Sequence, residues 1–115
     1  MGAGVSKEVI ARASYRERVK FANALRRLVP VINVASEEGC TRVDVAGGAY
    51  ANLTLKVIRA SNGEACGWVT AVVYDRYGKA VESWWDAPWM GGANPEKVAC
   101  ALRYYSEPAN CWKGA

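Results

Sequence analysis

Apolar and polar positions alternate with a period of two through the middle of the chain, between Thr41 and Trp85. The alternating runs are separated by the glycine pair Gly47-Gly48, by the tetrapeptide SNGE and by the tripeptide RYG. This period is typical of strands buried on one side, and short turns join antiparallel neighbours. The pattern therefore predicts a four-stranded antiparallel meander over Thr41–Ala46, Ala49–Ala60, Cys66–Asp75 and Lys79–Trp85.

The two faces of the predicted sheet differ in composition. One face is uniformly aliphatic and is expected to form the core, and the same alternation adds Trp85 to it. The opposite face mixes aromatic with polar side chains, and Trp68 and Trp84 on it are expected to stand close together across neighbouring strands. The aliphatic set is Leu53, Leu55, Val57, Val69, Ala71, Val73 and Val81; the mixed set is Lys56, Trp68, Thr70, Tyr74 and Trp84.

Upstream of the predicted sheet, apolar residues recur at spacings of three, four and seven, as on one face of a helix. Ser6 is a suitable N-cap, and Pro30 should end or kink the helix near Val29. The following segment, PVINVASEEG, is compatible with a further short helix that has Pro30 in its first turn and Gly39 after its end.

The C-terminal region predicts a second long helix. Asn94 is a good N-cap, Pro95 fits the first helical position, and Pro108 closes the helix. The expected fold is α+β: an N-terminal basic helix, kinked or followed by a short helix, then the four-stranded antiparallel meander, then the C-terminal helix. We expect a single domain over residues 1–115, with short flexible ends near 1–5 and 113–115.

Charge is distributed unevenly along the chain. The segment from Lys7 to Arg27 holds seven cations and two anions, a net +5, although the whole chain carries only +4. On the predicted helix, cations and Tyr15 recur at steps of three and four on an arc different from the apolar one. A solvated helix face is the simplest interpretation, but the arginine content and the aromatic residue favour a polyanion partner.

Several kinds of chemistry find no support in the sequence. The chain has no histidine, no phosphate-binding loop and no dinucleotide fingerprint, so we expect a protein that is not an enzyme and has no cofactor. Asp75, Glu82 and Asp86 are carboxylates near the tryptophans, but no spacing pairs them. No apolar run is long enough for a membrane span or a signal peptide, so we expect a cytoplasmic protein without a membrane partner.

The cysteines lack the spacing of a metal site. Cys40, Cys66, Cys100 and Cys111 include no C-x-x-C pair, and without histidine a zinc ion would need all four thiolates. We therefore expect small buried apolar side chains and no metal site. A disulfide such as Cys100–Cys111 is the alternative.

The stretch VESWWDAPWM, residues 81–90, places three tryptophans within six residues. They could form a second layer of core, an interface with another subunit, or a surface on which bases stack. Trp89 lies beyond Pro88, in the loop that precedes the last helix, where it could border a cleft or an interface. Together with the N-terminal cation excess, the tryptophans favour single-stranded nucleic acid over duplex, because no helix-turn-helix spacing is present.

The stretches ARASYRERVKFANALRR and GWVTAVVYDRYGKAVESWW, in this order, resemble the ThermoDBP-related proteins of thermophilic archaea. The resemblance covers roughly Ser6 to Ser106, and no sustained heptad follows it, unlike the dimerising coiled coil of the founding member. It implies bases held in a hydrophobic cleft between helices and sheet, with basic residues at the rim. The rim residues would be Arg12, Arg16, Lys20, Lys56 and Arg59, and the cleft residues Tyr15, Trp68, Tyr74 and Trp84.

These observations predict a non-catalytic protein that binds single-stranded DNA or RNA with little sequence preference. Its cations would contact phosphates, and its Trp and Tyr side chains would stack on bases. We also expect a homo-oligomer, dimer or tetramer, held by the domain itself. The alternative function is a protein-interaction or assembly module that uses the aromatic sheet face.

Overall fold

The computed structural model describes residues 7–59, 62–63 and 65–111. Ser6, the expected N-cap, and the ends expected to be flexible lie outside these residues. The elements follow one another as α1 (Lys7–Arg26), β1 (Val31–Glu37), β2 (Cys40–Val45), β3 (Tyr50–Arg59), β4 (Ala65–Tyr74), β5 (Ala80–Trp84) and α2 (Pro95–Ser106), with 3₁₀ turns at Pro88–Met90 and Pro108–Asn110. The α+β class is confirmed.

The strands form one antiparallel sheet in the order β1-β2-β3-β4-β5. Each of the four predicted strands is present and differs from its predicted bounds by one residue at either end. The short helix predicted after Pro30 is wrong, because this segment is strand β1 and makes the sheet five-stranded. Its β-branched residues suit a strand, and β2 offers it an open edge whose backbone groups need partners. Gly39, at φ +78°, lies in the β1–β2 turn.

Both helices lie on one face of the sheet, and the core fills the space between them. The aliphatic face predicted for β3 and β4 forms the sheet side of this core, with Leu53 and Val73 fully buried. Leu55 is only partly buried and Val57 is 39% exposed, and both line a hollow beside the N-terminal half of α1. The helices contribute Phe21, Ala22, Leu25, Val98, Ala99, Ala101 and Leu102.

An irregularity in β5 decides which tryptophan is buried. Ala80 lies opposite Tyr74, but Glu82 lies opposite Val73, so Val81 is an extra residue of the β-bulge kind. Beyond it the alternation is inverted, since one extra residue moves every following side chain to the other face. Trp84 lies opposite Ala71 and packs against the core, whereas Trp85 is 53% exposed.

The predictions that Trp85 belongs to the core and that Trp84 shares a face with Trp68 are therefore both wrong. Alternation alone could not show this, because nothing in the sequence marks Val81 as the inserted position. Val81 itself is partly buried against the core, as predicted.

Helix α2 begins as predicted. Asn94 has an extended backbone, its Oδ1 accepts a hydrogen bond from the Lys97 amide at 2.8 Å, and Pro95 follows as the first helical residue. We expect Asn94→Ala to lower the free energy of unfolding by about 1 kcal/mol, because it leaves an N-terminal amide of α2 without its acceptor. Urea unfolding followed by circular dichroism measures this loss. Asn94→Asp keeps the acceptor and should be close to wild type, and equal losses for both variants would contradict a capping role.

No helix in the described parts of the chain is long and apolar enough to cross a lipid bilayer.

Candidate nucleic-acid interface

The sheet face that points away from both helices carries two aromatic clusters. We call it the aromatic face and define it by Arg42, Tyr50, Lys56, Trp68, Tyr74 and Trp89. On β3 and β4 the paired residues Tyr50 and Tyr74, and Lys56 and Trp68, alternate with the core residues and so point outward.

The first cluster is a stack of three planar groups across neighbouring strands. The rings of Tyr50 and Tyr74 are 4.8 Å apart and inclined by only 12°. The Arg42 guanidinium lies 3.7 Å from the centre of the Tyr50 ring, a cation–π contact. Arg42 Nε also donates to Asp44 Oδ1 at 2.9 Å. In the order of the strands Arg42, Tyr50 and Tyr74 follow one another, and the residue opposite Tyr74 on β5 is Ala80.

The second cluster contains two tryptophans and a lysine. Trp68 and Trp89 meet edge to face with their ring centres 5.8 Å apart. Trp68 Nε1 donates to the Trp85 carbonyl oxygen at 3.0 Å, which ties the loop after β5 to this face. Lys56 Nζ lies 5.8 Å from the Trp68 ring centre, and Trp89 is 71% exposed. Ring surface and positive charge are therefore both available to a ligand.

A polar band separates the two clusters. Thr54 and Thr70 face each other across β3 and β4 with their hydroxyls hydrogen-bonded, and Asn52 lies between them and the tyrosine pair. Trp68 and Tyr74 are six residues apart on one strand, which corresponds to about 20 Å. A ligand that contacts both clusters must therefore be an extended chain.

The residues predicted from the sequence to bind nucleic acid do not all lie on one surface. Lys56, Trp68, Tyr74 and Trp89 come together on the aromatic face. Trp84 does not belong to it, because it packs against the core on the helix side. Arg59 is the last residue of β3, opposite Ala65, and its side chain is not described. The α1 residues, Arg12, Tyr15, Arg16 and Lys20, are exposed on the other side of the sheet.

Sequence reasoning missed Tyr50 and Arg42. Tyr50 lies two positions before Asn52 in the same strand, so extending the alternation by one step would have placed it on the mixed face. Arg42 could not be found in this way, because its position over Tyr50 depends on the pairing of β2 with β3. Pairing between strands is not readable from either strand alone.

A groove of about 600 Å³ lies between α1 and the β1–β2 turn, on the helix side of the sheet. Tyr15 lines it, and so do Glu37 and Glu38. Two carboxylates would repel the phosphates of a nucleic acid strand, so this groove is the poorer interface of the two.

The cysteines and the buried carboxylate Asp75 are not among the residues that define the aromatic face or line the groove. Cys66 and Cys100 are exposed, contrary to the expectation of buried thiols, and the cysteines in the described residues are all free. Within those residues no three metal-ligating side chains cluster. Asp75 is fully buried, and its Oδ1 accepts hydrogen bonds from the amides of Tyr77 and Lys79, so it shapes the turn between β4 and β5.

Comparison of the chain with protein-family models, with curated proteins and with solved structures gave no match. The resemblance to the ThermoDBP-related proteins therefore stays a prediction.

Proposed function

We propose that the protein binds single-stranded nucleic acid on its aromatic face, without catalysis and with little sequence preference. The observation that carries the proposal is the presence of a cation at each aromatic cluster: Lys56 at the tryptophans, and Arg42, which also pairs with Asp44, at the tyrosines. Rings that stack on bases and cations that hold phosphates are the two components such proteins combine.

The geometry of the clusters supports an extended strand as ligand. In the proposed complex one base extends the Arg42–Tyr50–Tyr74 stack beside Tyr74, whose neighbour on β5 is the small residue Ala80, and a second base stacks on Trp89, which is largely exposed. Each stacked base contributes roughly 1–3 kcal/mol. Because the clusters are about 20 Å apart, the strand must span several nucleotides to use both.

The test is a fluorescence titration with dT and rU oligomers at low salt, with a gel shift as the second readout. We expect quenching of tryptophan emission and an affinity that falls as salt rises. Tyr74→Ala and Trp89→Ala should each weaken binding by about tenfold, the effect of losing one stacked base. Lys56→Ala should reduce the slope of affinity against salt by about one phosphate contact.

Tyr104→Ala is the matched control, because Tyr104, like Trp89, is an exposed aromatic residue, at 54%, but it lies on α2 on the other side of the sheet. It should bind like wild type. Absence of both quenching and gel shift with either oligomer would refute the proposal, and so would equal losses for Tyr104→Ala and Tyr74→Ala.

A second candidate function is self-assembly through the loop after β5. Trp89 and Met90 are 71% and 70% exposed in the same 3₁₀ turn, and exposed aromatic residues and methionine are enriched at protein interfaces. The predicted homo-oligomer would then use this loop. Light scattering on Trp89→Ala separates the two functions: loss of oligomers with full oligonucleotide affinity would favour assembly.

A further inference from the structure

Arg18 is a buried cation without a carboxylate partner. Its side chain is 3% exposed, and its hydrogen bonds go to neutral oxygens. Nε donates to the carbonyl and the hydroxyl of Ser14 at 3.2 and 3.1 Å, and Nη1 donates to the Glu37 carbonyl at 3.3 Å and to Thr41 Oγ1 at 2.9 Å. The ion pair of Arg42 with Asp44 lies on the opposite face of β2, although Arg42 directly follows Thr41 in the chain. Arginine stays protonated in proteins, so the charge persists.

The Nη2 group of Arg18 has two N–H groups left over. No hydrogen bond joins Nη2 to a described residue. Nη2 is not fully enclosed either, because it is not among the enclosed side-chain atoms that lack a partner in the described residues. The groove between α1 and the β1–β2 turn is the open space that Arg18 borders. Arg18 lines this groove, and Nη2 is the part of its guanidinium whose N–H groups have no acceptor among the described residues.

The rest of the groove is largely apolar. Ile10 and Ala11 of α1 and Leu55 and Val57 of β3 line it, with the ring of Tyr15 at one side. Its volume of about 600 Å³ falls within the range of small-molecule sites. Buried charges in proteins are ordinarily paired, and a site of this composition would pair Arg18 with an anion that also has an apolar body.

We propose that this groove binds a small amphipathic carboxylate, with its carboxylate on Arg18 Nη2 and its apolar body against Ile10, Leu55 and Val57. Glu37 and Glu38 lie exposed at the rim of the groove. Their negative charges repel an anion more strongly the more charge it carries, which favours a monocarboxylate over a polyphosphate. The groove and the aromatic face lie on opposite sides of the sheet, so this ligand would bind independently of nucleic acid.

The experiment compares octanoate with 1-octanol, which has the same apolar chain and no charge. We expect octanoate to bind about tenfold more tightly, because only the carboxylate forms a charge-assisted hydrogen bond with Arg18. Isothermal titration gives the two affinities. The Arg18 Nε–H resonance, held by Ser14, should shift in NMR spectra with octanoate and not with 1-octanol. Equal affinities, no binding of octanoate at millimolar concentration, or shifts confined to the Trp68 indole would each overturn the proposal.

Two variants separate the site from the fold. Arg18→Gln should bind octanoate no better than it binds 1-octanol. If Arg18→Gln unfolds, Ala11→Phe provides the test and should lose the preference for octanoate. Ala11 is exposed, and a phenylalanine there fills the groove without touching the Arg18 hydrogen bonds. A folded Ala11→Phe protein that keeps the wild-type preference for octanoate would place the anion elsewhere and refute the site. Both variants should bind dT oligomers normally.

Discussion

Trp84→Ala should lower the free energy of unfolding by about 3 kcal/mol, the lower end of the cost of removing a large aromatic side chain from a core. Trp84 packs against the core and, together with Ala101 and Tyr105 of α2, lines a hollow of about 460 Å³ at the β5 edge. Removal of the indole enlarges that hollow and loses its contacts with α2. Chemical unfolding followed by circular dichroism measures the effect without depending on tryptophan emission.

The matched control is Trp85→Ala, the adjacent tryptophan. Trp85 is 53% exposed, and the group through which it contacts Trp68 is its backbone carbonyl, which alanine retains. We expect its stability to stay within about 0.5 kcal/mol of wild type. If Trp85→Ala were the destabilising variant, the register irregularity at Val81 would be wrong and the uninterrupted alternation would be right.

Gly92→Ala should destabilise the protein by about 3 kcal/mol or more, at the upper end of overpacking effects. A Cβ atom at position 92 would lie 1.7 Å from the Asp86 carbonyl oxygen and 2.8 Å from that of Ala87. Both are backbone atoms, so the loop from Asp86 to Gly92 must open. The Gly92 amide also donates to the Ala87 carbonyl at 2.9 Å, and this hydrogen bond closes the loop that carries Trp89.

Gly91→Ala is the control for this prediction. Gly91 has φ +90°, which alanine rarely adopts, but no atom lies within 4 Å of its added Cβ. We expect a cost of about 1–2 kcal/mol from the backbone conformation alone. Thermal unfolding of both variants gives the comparison, and a Gly92→Ala protein as stable as Gly91→Ala would show that the loop yields easily. Weakened oligonucleotide binding by folded Gly92→Ala would further link this loop to the aromatic face.

Much of the fold was readable from the sequence because its signals are local. Strands β2 to β5 followed from alternation and turn residues, and α2 followed from Asn94 and Pro95. The segment after Pro30 failed because its local signals fit both a short helix and a strand. The free edge of β2 decides between them, and that edge exists only once the sheet has formed.

The candidate site was partly readable for the same reason. Lys56, Trp68 and Tyr74 share a face by alternation within two strands, and that relation needs no tertiary information. The α1 cations were grouped with them on the basis of charge, yet the sheet separates the two sets. Arg18 was counted among the seven cations of the N-terminal segment and given no further role, because its burial over Thr41 and Glu37 depends on a turn 19 to 23 residues away.

The sequence by itself determined the α+β class, the four central strands, the C-terminal helix and the chemical character of the two sheet faces, because these depend on periodicity and on turn and cap residues. Only the tertiary structure decided the fifth strand, the exchange of roles between Trp84 and Trp85, the stack of Arg42 on Tyr50 and the groove over Arg18. Each of these depends on the register between strands or on which side a helix packs. Such relations join residues that are distant in the chain, and their free energies are gained only when those residues meet.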